Sequence, residues 1–248
     1  MIPIDNEMAI DCCLLAGRLM MEAGAETYRV EDTMTRMAES QKLRSPQSFV
    51  TPTGIMFSPG SPHPTELIRI KHRTTDLEKV ALVNDISRKL TSGEYTLEKA
   101  YSNLQDIEQA NVMFPIWLQI SAAAIASACF LLLYGGVWTD IPVAICAGGA
   151  GFIIVVLIHD LTKVKFFAEF IASLFVALIA FGALQVGVGT DLDKIIIGSV
   201  MPLVPGLLIT NAVRDLMAGH FMSGLSKGAE AFLTSFAIGA GVALVLSF

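Results

Sequence analysis

The chain has 248 residues, of which 53% are hydrophobic and 16% charged, and its formal net charge is −6. An ordinary soluble domain carries about 25% charge, so the composition points to a membrane, and the acidic balance gives no reason to expect nucleic acid as a partner. Twelve of the seventeen Lys and Arg, and sixteen of the twenty-three Asp and Glu, fall before residue 116, which divides the chain into a polar N-terminal half and a lipid-compatible C-terminal half.

The first stretch, MIPIDNEMAIDCC, lacks a basic region and carries Asp5, Glu7 and Asp11, so it is not expected to be a secretory signal. From Asp5 to about Ala23, Met8, Cys12, Leu15, Leu19 and Met20 recur at helical spacing, and Gly24 supplies a stop. Thr27 is placed to cap a second helix whose face is Val30, Met34 and Met37. Prolines and glycines then punctuate two β-prone runs, 48–57 and 66–71, which predict a small hairpin or sheet edge with 58–64 as its turn. Thr75-Asp76-Leu77-Glu78 has the form of a capping box opening a helix through Val80, Val83, Ile86 and Leu90. Thr96 starts one more, with Leu97, Ala100, Leu104 and Ile107 on one stripe.

Beyond Asn111 the informative signal is length. Five apolar stretches, 116–134, 141–158, 166–188, 195–213 and 229–248, are long enough to cross about 30 Å of hydrocarbon at about 1.5 Å per helical residue. Trp117, Tyr134 and Trp138 stand where interfacial anchors belong. The expected architecture is an integral membrane α-helical bundle of five transmembrane helices (113–248), preceded by a small cytoplasmic helix-rich α+β domain (1–112). The basic residues lie in the N-terminal part, at Lys163 and Lys165, and at Arg214 and Lys227, while the first loop has none and the third only Lys194, beside Asp191 and Asp193. By the positive-inside rule this places the N-terminus in the cytoplasm and the C-terminus outside. Small residues at 121–128, 147–151, Ser235 and Gly239 predict close helix contacts. Cys12, Cys13, Cys129 and Cys146 have no CxxC spacing and read as buried small hydrophobes on a reducing side.

The chemistry is expected in the fourth span, where Met201-Pro202-Leu203-Val204-Pro205-Gly206 interrupts the apolar run and Asn211, Arg214 and Asp215 follow. Pro205 cannot donate to the carbonyl of Met201, nor Pro202 to that of Gly198, which leaves two carbonyls to receive a cation or a substrate ammonium. A half-helix starting near Gly206 presents amides and a positive dipole end to a carboxylate. Asn211 and Asp215, four apart, share a helix face on which a polar pathway lining would run. Met201, Pro202, Pro205, Gly206, Asn211, Arg214 and Asp215 are therefore the candidate substrate-binding residues. Glu169, three residues into the third span, is the candidate for proton coupling. His159 and Asp160 read as interfacial, Gln119 and Gln185 as interhelical hydrogen bonds, and His63 and His72 as solvated surface residues. No phosphate loop, HExxH, GxSxG or metal-ligand spacing is found, so neither an enzyme, a cofactor nor a metal is expected.

Leu15-Ala16-Gly17, Glu22 through Glu31, Pro52-Thr53, and Pro205-Gly206 with Asn211, Asp215, Gly219 and Gly224 resemble the threonine/serine exporter (ThrE-like) family over essentially the whole chain. Full-length members have a second membrane module, which this chain lacks. The resemblance therefore implies the split type, in which a separate small membrane protein completes the exporter. It implies threonine and serine export in the fused type and succinate export in one split branch, and leaves the choice open. An ion gradient is the expected drive, since no nucleotide-binding motif is present; homo-oligomers and lipid contact also fit. The competing class is a membrane-anchored sensor or scaffold without transport, which would have little reason to break a span at midplane.

Overall fold

The computed structural model describes residues 4–61, 63–110 and 114–247; Pro62, the expected boundary at 112/113 and Phe248 lie outside them. The chain folds as two compact units that do not follow chain order. One comprises Met1–Met113 and Ile209–Gly228, the other Phe114–Leu208 and Ala229–Phe248.

In the first unit, α1 (Ile4–Glu22) packs against α2 (Thr27–Ser40), α3 (Leu77–Thr91) and α4 (Leu97–Gln109). Ala9, Ile10, Cys12, Cys13, Leu14, Leu15, Ala16, Leu19, Met20 and Met21 are all buried. The helix is thus covered nearly all round rather than along one stripe, as an uninterrupted apolar run requires. Burial pushes the Cys12 thiol up to about 12, with the charge of Asp11 adding to it, and such a thiol is unreactive. Val30, Met34 and Met37 of α2 are fully buried, each contributing about 1.5–3 kcal/mol by transfer from water.

The β region is a three-stranded antiparallel meander in the order β1 (Gln47–Thr51), β2 (Gly54–Ser58), β3 (Glu66–Arg69). The first β-prone run divides because Pro52 cannot serve a central strand. Thr51 pairs with Gly54 across the Pro52-Thr53 turn, and the Thr51 hydroxyl accepts the Gly54 amide at 3.1 Å. The cap of α3 is Asp76, whose carboxylate accepts the Lys79 amide at 3.0 Å, one residue later than the capping-box reading.

The second unit is built from apolar helices: α5 (Ile116–Leu133), α6 (Ile141–Thr162), α7 (Lys165–Gln185), α8 (Leu192–Val200), the start of α9 (Gly206–Met217) and most of α10 (Phe221–Leu246). Four of these helices are long and apolar enough to cross a membrane, and five spans result if α8 and α9 are one bent span. Small residues set the approach of the helices. A Cβ at Gly198 would lie 2.7 Å from the Leu131 amide nitrogen, so α8 meets α5 backbone to side of backbone. Ala172, Val176, Ala177 and Ala180 of α7 are fully buried. Cys129 and Cys146 are exposed on this unit rather than buried; an apolar surface facing lipid accepts a thiol as readily as a core does.

Candidate functional site

The break in the fourth apolar stretch begins where α8 ends. The Asp191 side chain caps α8 by accepting the Lys194 amide at 3.2 Å. A single 3-10 turn, Met201–Leu203, follows with Pro202 in its first positions, where a missing N–H costs nothing. Val204 is extended (φ −65°, ψ 130°), as the residue before a proline must be, and α9 then leaves at 63° to α8. The carbonyl of Met201 accepts the Val204 amide at 3.2 Å, so a three-residue turn replaces the bond Pro205 cannot give. The Val204 carbonyl accepts the Gly206 amide at 2.8 Å. Beyond its chain neighbours and its own helix backbone, nothing lies within 4 Å of the place a Gly206 Cβ would take, so α9 faces open space at Gly206. Nearby, the Tyr134 hydroxyl donates to the Met201 sulfur at 3.8 Å.

Asn211, Arg214 and Asp215, farther along α9, belong to the first unit, where all three bond to residues 24–27. α1 ends in a Schellman motif: Gly24 is left-handed (φ 86°), and Met20 and Met21 carbonyls accept the Ala25 and Gly24 amides at 3.0 and 3.2 Å. The Gly24 carbonyl then accepts the Asn211 side-chain amide at 2.9 Å. Glu26 is the N-cap of α2 and makes no side-chain cap. Asp215 supplies the missing acceptor, taking the Thr27 amide and the Thr27 hydroxyl at 2.9 Å each. Thr27 is therefore the first helical residue rather than the cap. A carboxylate at this end also suits the helix dipole.

The counter-charge is Lys227 on α10. Its ammonium donates to Asp215 Oδ2 at 2.7 Å, to the Ala25 carbonyl at 3.2 Å and to the Thr27 hydroxyl at 3.3 Å, using all three hydrogens. Lys227 is 3% exposed, Asp215 and Thr27 not at all. Arg214 reaches Glu26 at 2.6 Å and Arg29 pairs with the same carboxylate at 3.0 Å. Burial raises the Glu26 pKa, but its backbone hydrogen bond and the hydrogen bond from Arg214, with the charges of Arg29 and Arg214, outweigh that and hold the carboxyl below its ordinary value. Glu31 goes the other way: burial lifts its pKa above the ordinary value, and Asp215 adds to it against the opposing Val50 amide and His220. α9 turns into α10 through a second Schellman motif centred on Gly219 (φ 88°), and Gly224 lies so close to Leu216 and the Ala212 carbonyl that a Cβ would not fit.

Glu169 on α7 is 7% exposed; its Oε2 is buried with no hydrogen-bond partner, and so is the hydroxyl of Thr234 on α10. Lys165 is close by but pairs with Glu230 at 3.0 Å.

Two residues of weight were missed by sequence reasoning. Lys227 was read only as an orientation charge, although a lone lysine in an apolar helix is itself a signal for a buried carboxylate partner. Asp140 has no exposed surface and accepts the Thr190 amide at 2.8 Å, the Thr190 hydroxyl at 3.0 Å and the Asp191 amide at 3.2 Å, tying the turn before α6 to the one before α8. Nothing in local sequence distinguishes it from an ordinary helix cap. Among the described residues, no group of three or more His, Cys, Asp or Glu is placed to hold a metal ion.

The family described as "Putative threonine/serine exporter" (ThrE) matches residues 11–248. A Mycobacterium tuberculosis protein named "Probable threonine/serine exporter" is 21% identical over 247 residues, covering 98% of this chain and 46% of that protein; the chain thus spans about half its length. Two proteins named "Probable succinate transporter subunit YjjP", from Klebsiella aerogenes and Escherichia coli, are 25% and 24% identical, each over 95% of this chain and 92% of their own length. No solved structure matches.

Proposed function

This chain belongs to the threonine/serine exporter family, and on that premise we propose that it is one subunit of a membrane exporter for small carboxylate-bearing metabolites, of the threonine/serine or the succinate class. It works with a separate small membrane subunit and draws on an ion gradient. The observation that carries the reading is the helix broken at Pro205-Gly206 within a unit otherwise made of apolar helices. Interrupted backbone at membrane depth is tolerated where it is buried in protein or lines a cavity, and such breaks are where transporters hold their solutes. The substrate carboxylate takes the open first turn of α9 at Gly206, and Met201, Pro202 and Pro205 form the turn that presents it. Asn211, Arg214 and Asp215 hold the later turns of the same helix to residues 24–27. Glu169, with Thr234, holds the coupling proton.

That two relatives are named as transporter subunits supports an assembly with a partner subunit. The N-terminal α+β part lies on the cytoplasmic side of a bacterial inner membrane and the C-terminus outside, by the distribution of Lys and Arg.

The test is efflux of threonine, serine and succinate, followed in parallel from loaded cells lacking their own exporters, with this chain alone and with its small partner. Export that needs both chains, and is lost in Gly206→Val with the protein still inserted, is the expected result. Absence of efflux for all three solutes with both chains verified in the membrane overturns the reading and favours the sensor or scaffold.

A further inference from the structure

A polar cavity of about 180 Å³ lies in the first unit, lined by Asn6, Lys42, Leu43, Arg44, Ser61 and His63. Two of these side chains are basic, a third is an imidazole, and no carboxylate is among them. Among the described residues Lys42 and Arg44, both exposed, make no side-chain hydrogen bond or ion pair, so both charges are open to an anion. The imidazole is also incomplete. Its Nε2 lies 3.4 Å from the Asn6 side-chain nitrogen, while its Nδ1 is buried without a partner. With Asn6 donating to Nε2, the ring hydrogen sits on Nδ1, as a donor lacking an acceptor.

The backbone adds a second, independent sign. α2 ends in a Schellman motif in which the Ala38 and Glu39 carbonyls accept the Leu43 and Lys42 amides at 3.1 and 2.9 Å. The left-handed residue of that motif is Lys42 (φ 62°), at a position where glycine is the usual choice. Ser45 is left-handed as well (φ 55°), and Gly60 lies against the Arg44 carbonyl where no Cβ could fit. The loop is thus pinned on both sides with Leu43 buried beneath it, and a strained non-glycine backbone of this kind persists only where its surroundings hold it. Helix termination alone would be better served by glycine; lysine at that position brings a cation to the cavity.

We propose that this cavity binds a small doubly charged anion, of dicarboxylate or phosphate chemistry. Lys42 and Arg44 supply the charge, with His63 Nδ1, Asn6 and Ser61 as neutral donors. Its volume is that of about six liquid waters at ~30 Å³ each, more than one carboxylate head fills. A zwitterionic amino acid is disfavoured, because its ammonium would meet two cations and no acidic side chain. The site is independent of the transport reading, since it is built wholly from residues of the first unit and is tested by binding.

The purified full-length chain in detergent is titrated calorimetrically with succinate, inorganic phosphate and threonine at constant ionic strength. The expected result is saturable binding of succinate or phosphate, with threonine at least tenfold weaker, and a tenfold or greater loss in Arg44→Gln and Lys42→Gly. Lys42→Gly separates ligand binding from structure: glycine relieves the left-handed strain, so its unfolding midpoint holds or rises while its affinity falls. Whichever dianion binds tighter names the source. Absence of dianion binding in the wild type, or binding unchanged in both variants, overturns the proposal; the latter outcome assigns the anion to another place, such as the first turn of α9.

Discussion

Asp215 in the first unit and Glu169 in the second are both buried carboxylates, and they are treated in opposite ways. Asp215 has no exposed surface, and both its oxygens are engaged, by the Thr27 amide, the Thr27 hydroxyl and the Lys227 ammonium. Glu169 is almost as buried, yet one of its oxygens and the neighbouring Thr234 hydroxyl have no partner. A buried ion pair with both carboxylate oxygens and every ammonium hydrogen engaged is a fixed structural element. A buried carboxyl with an unused oxygen is suited to an exchangeable proton, because that oxygen can take a proton without giving up a hydrogen bond. The contrast separates a residue that holds the fold from one available to a transport cycle.

The sharpest way to break the comparison is to remove one partner of the satisfied pair. Asp215→Ala and Lys227→Met should each destabilise the first unit by about 3–5 kcal/mol, since either leaves a buried charge alone. The double variant should recover the larger part, as read by denaturant unfolding in detergent. Single variants within about 1 kcal/mol of wild type would remove Asp215 from its structural role. Next in size, restoring helix continuity with Pro202→Ala and Pro205→Ala together should lower export about tenfold, the loss of roughly 1.4 kcal/mol of binding, with insertion and unfolding unchanged.

Glu169→Gln sharpens the other side. It should leave stability within about 1 kcal/mol of wild type, because Oε2 has no hydrogen-bond partner to lose, and efflux should lose its response to an imposed pH gradient. A variant still driven by that gradient would move coupling elsewhere. Smaller effects come from the rim of the cluster. The Glu26 carboxyl is held below its ordinary value, so its contribution is present above about pH 4.5 and lost as pH falls through the lower folded value. Glu31 is held above its ordinary value, so its contribution is present below about pH 4.5 and lost as pH rises through the raised value. Unfolding as a function of pH should therefore show a flatter acid limb in Glu26→Gln and a small gain at neutral pH in Glu31→Gln. Arg214→Ala should be the mildest, about 0.5 kcal/mol, because the arginine side chain is 60% exposed and water screens its pairing with Glu26.

Much of the architecture was legible because it depends on near neighbours in the chain. The faces of α2 and α3, the stop at Gly24 and the apolar lengths are set by period, cap and composition, and Val30, Met34, Val80 and Val83 are buried as their spacing implies. The division of the first β run at Pro52 was missed although its cause is local, because a two-residue turn leaves little mark in composition. The break at Pro205-Gly206 was visible for the same reason that it exists: proline lacks the donor a helix needs.

The partners of the polar residues after the break were not legible. Asn211, Arg214 and Asp215 read as one polar face, and their bonds go to residues 187 or 188 positions earlier in the chain. Lys227 reads as an isolated charge until α9 and α10 turn back on each other at Gly219. By itself the amino-acid sequence determined which segments are helices, where they must stop and which are apolar enough for lipid, since these follow from backbone donors, periodicity and transfer energies of single residues. Only the tertiary structure decided which buried charges are neutralised and which oxygen is left over, because that depends on what lies within about 3 Å of an atom, a distance that chain separation does not predict.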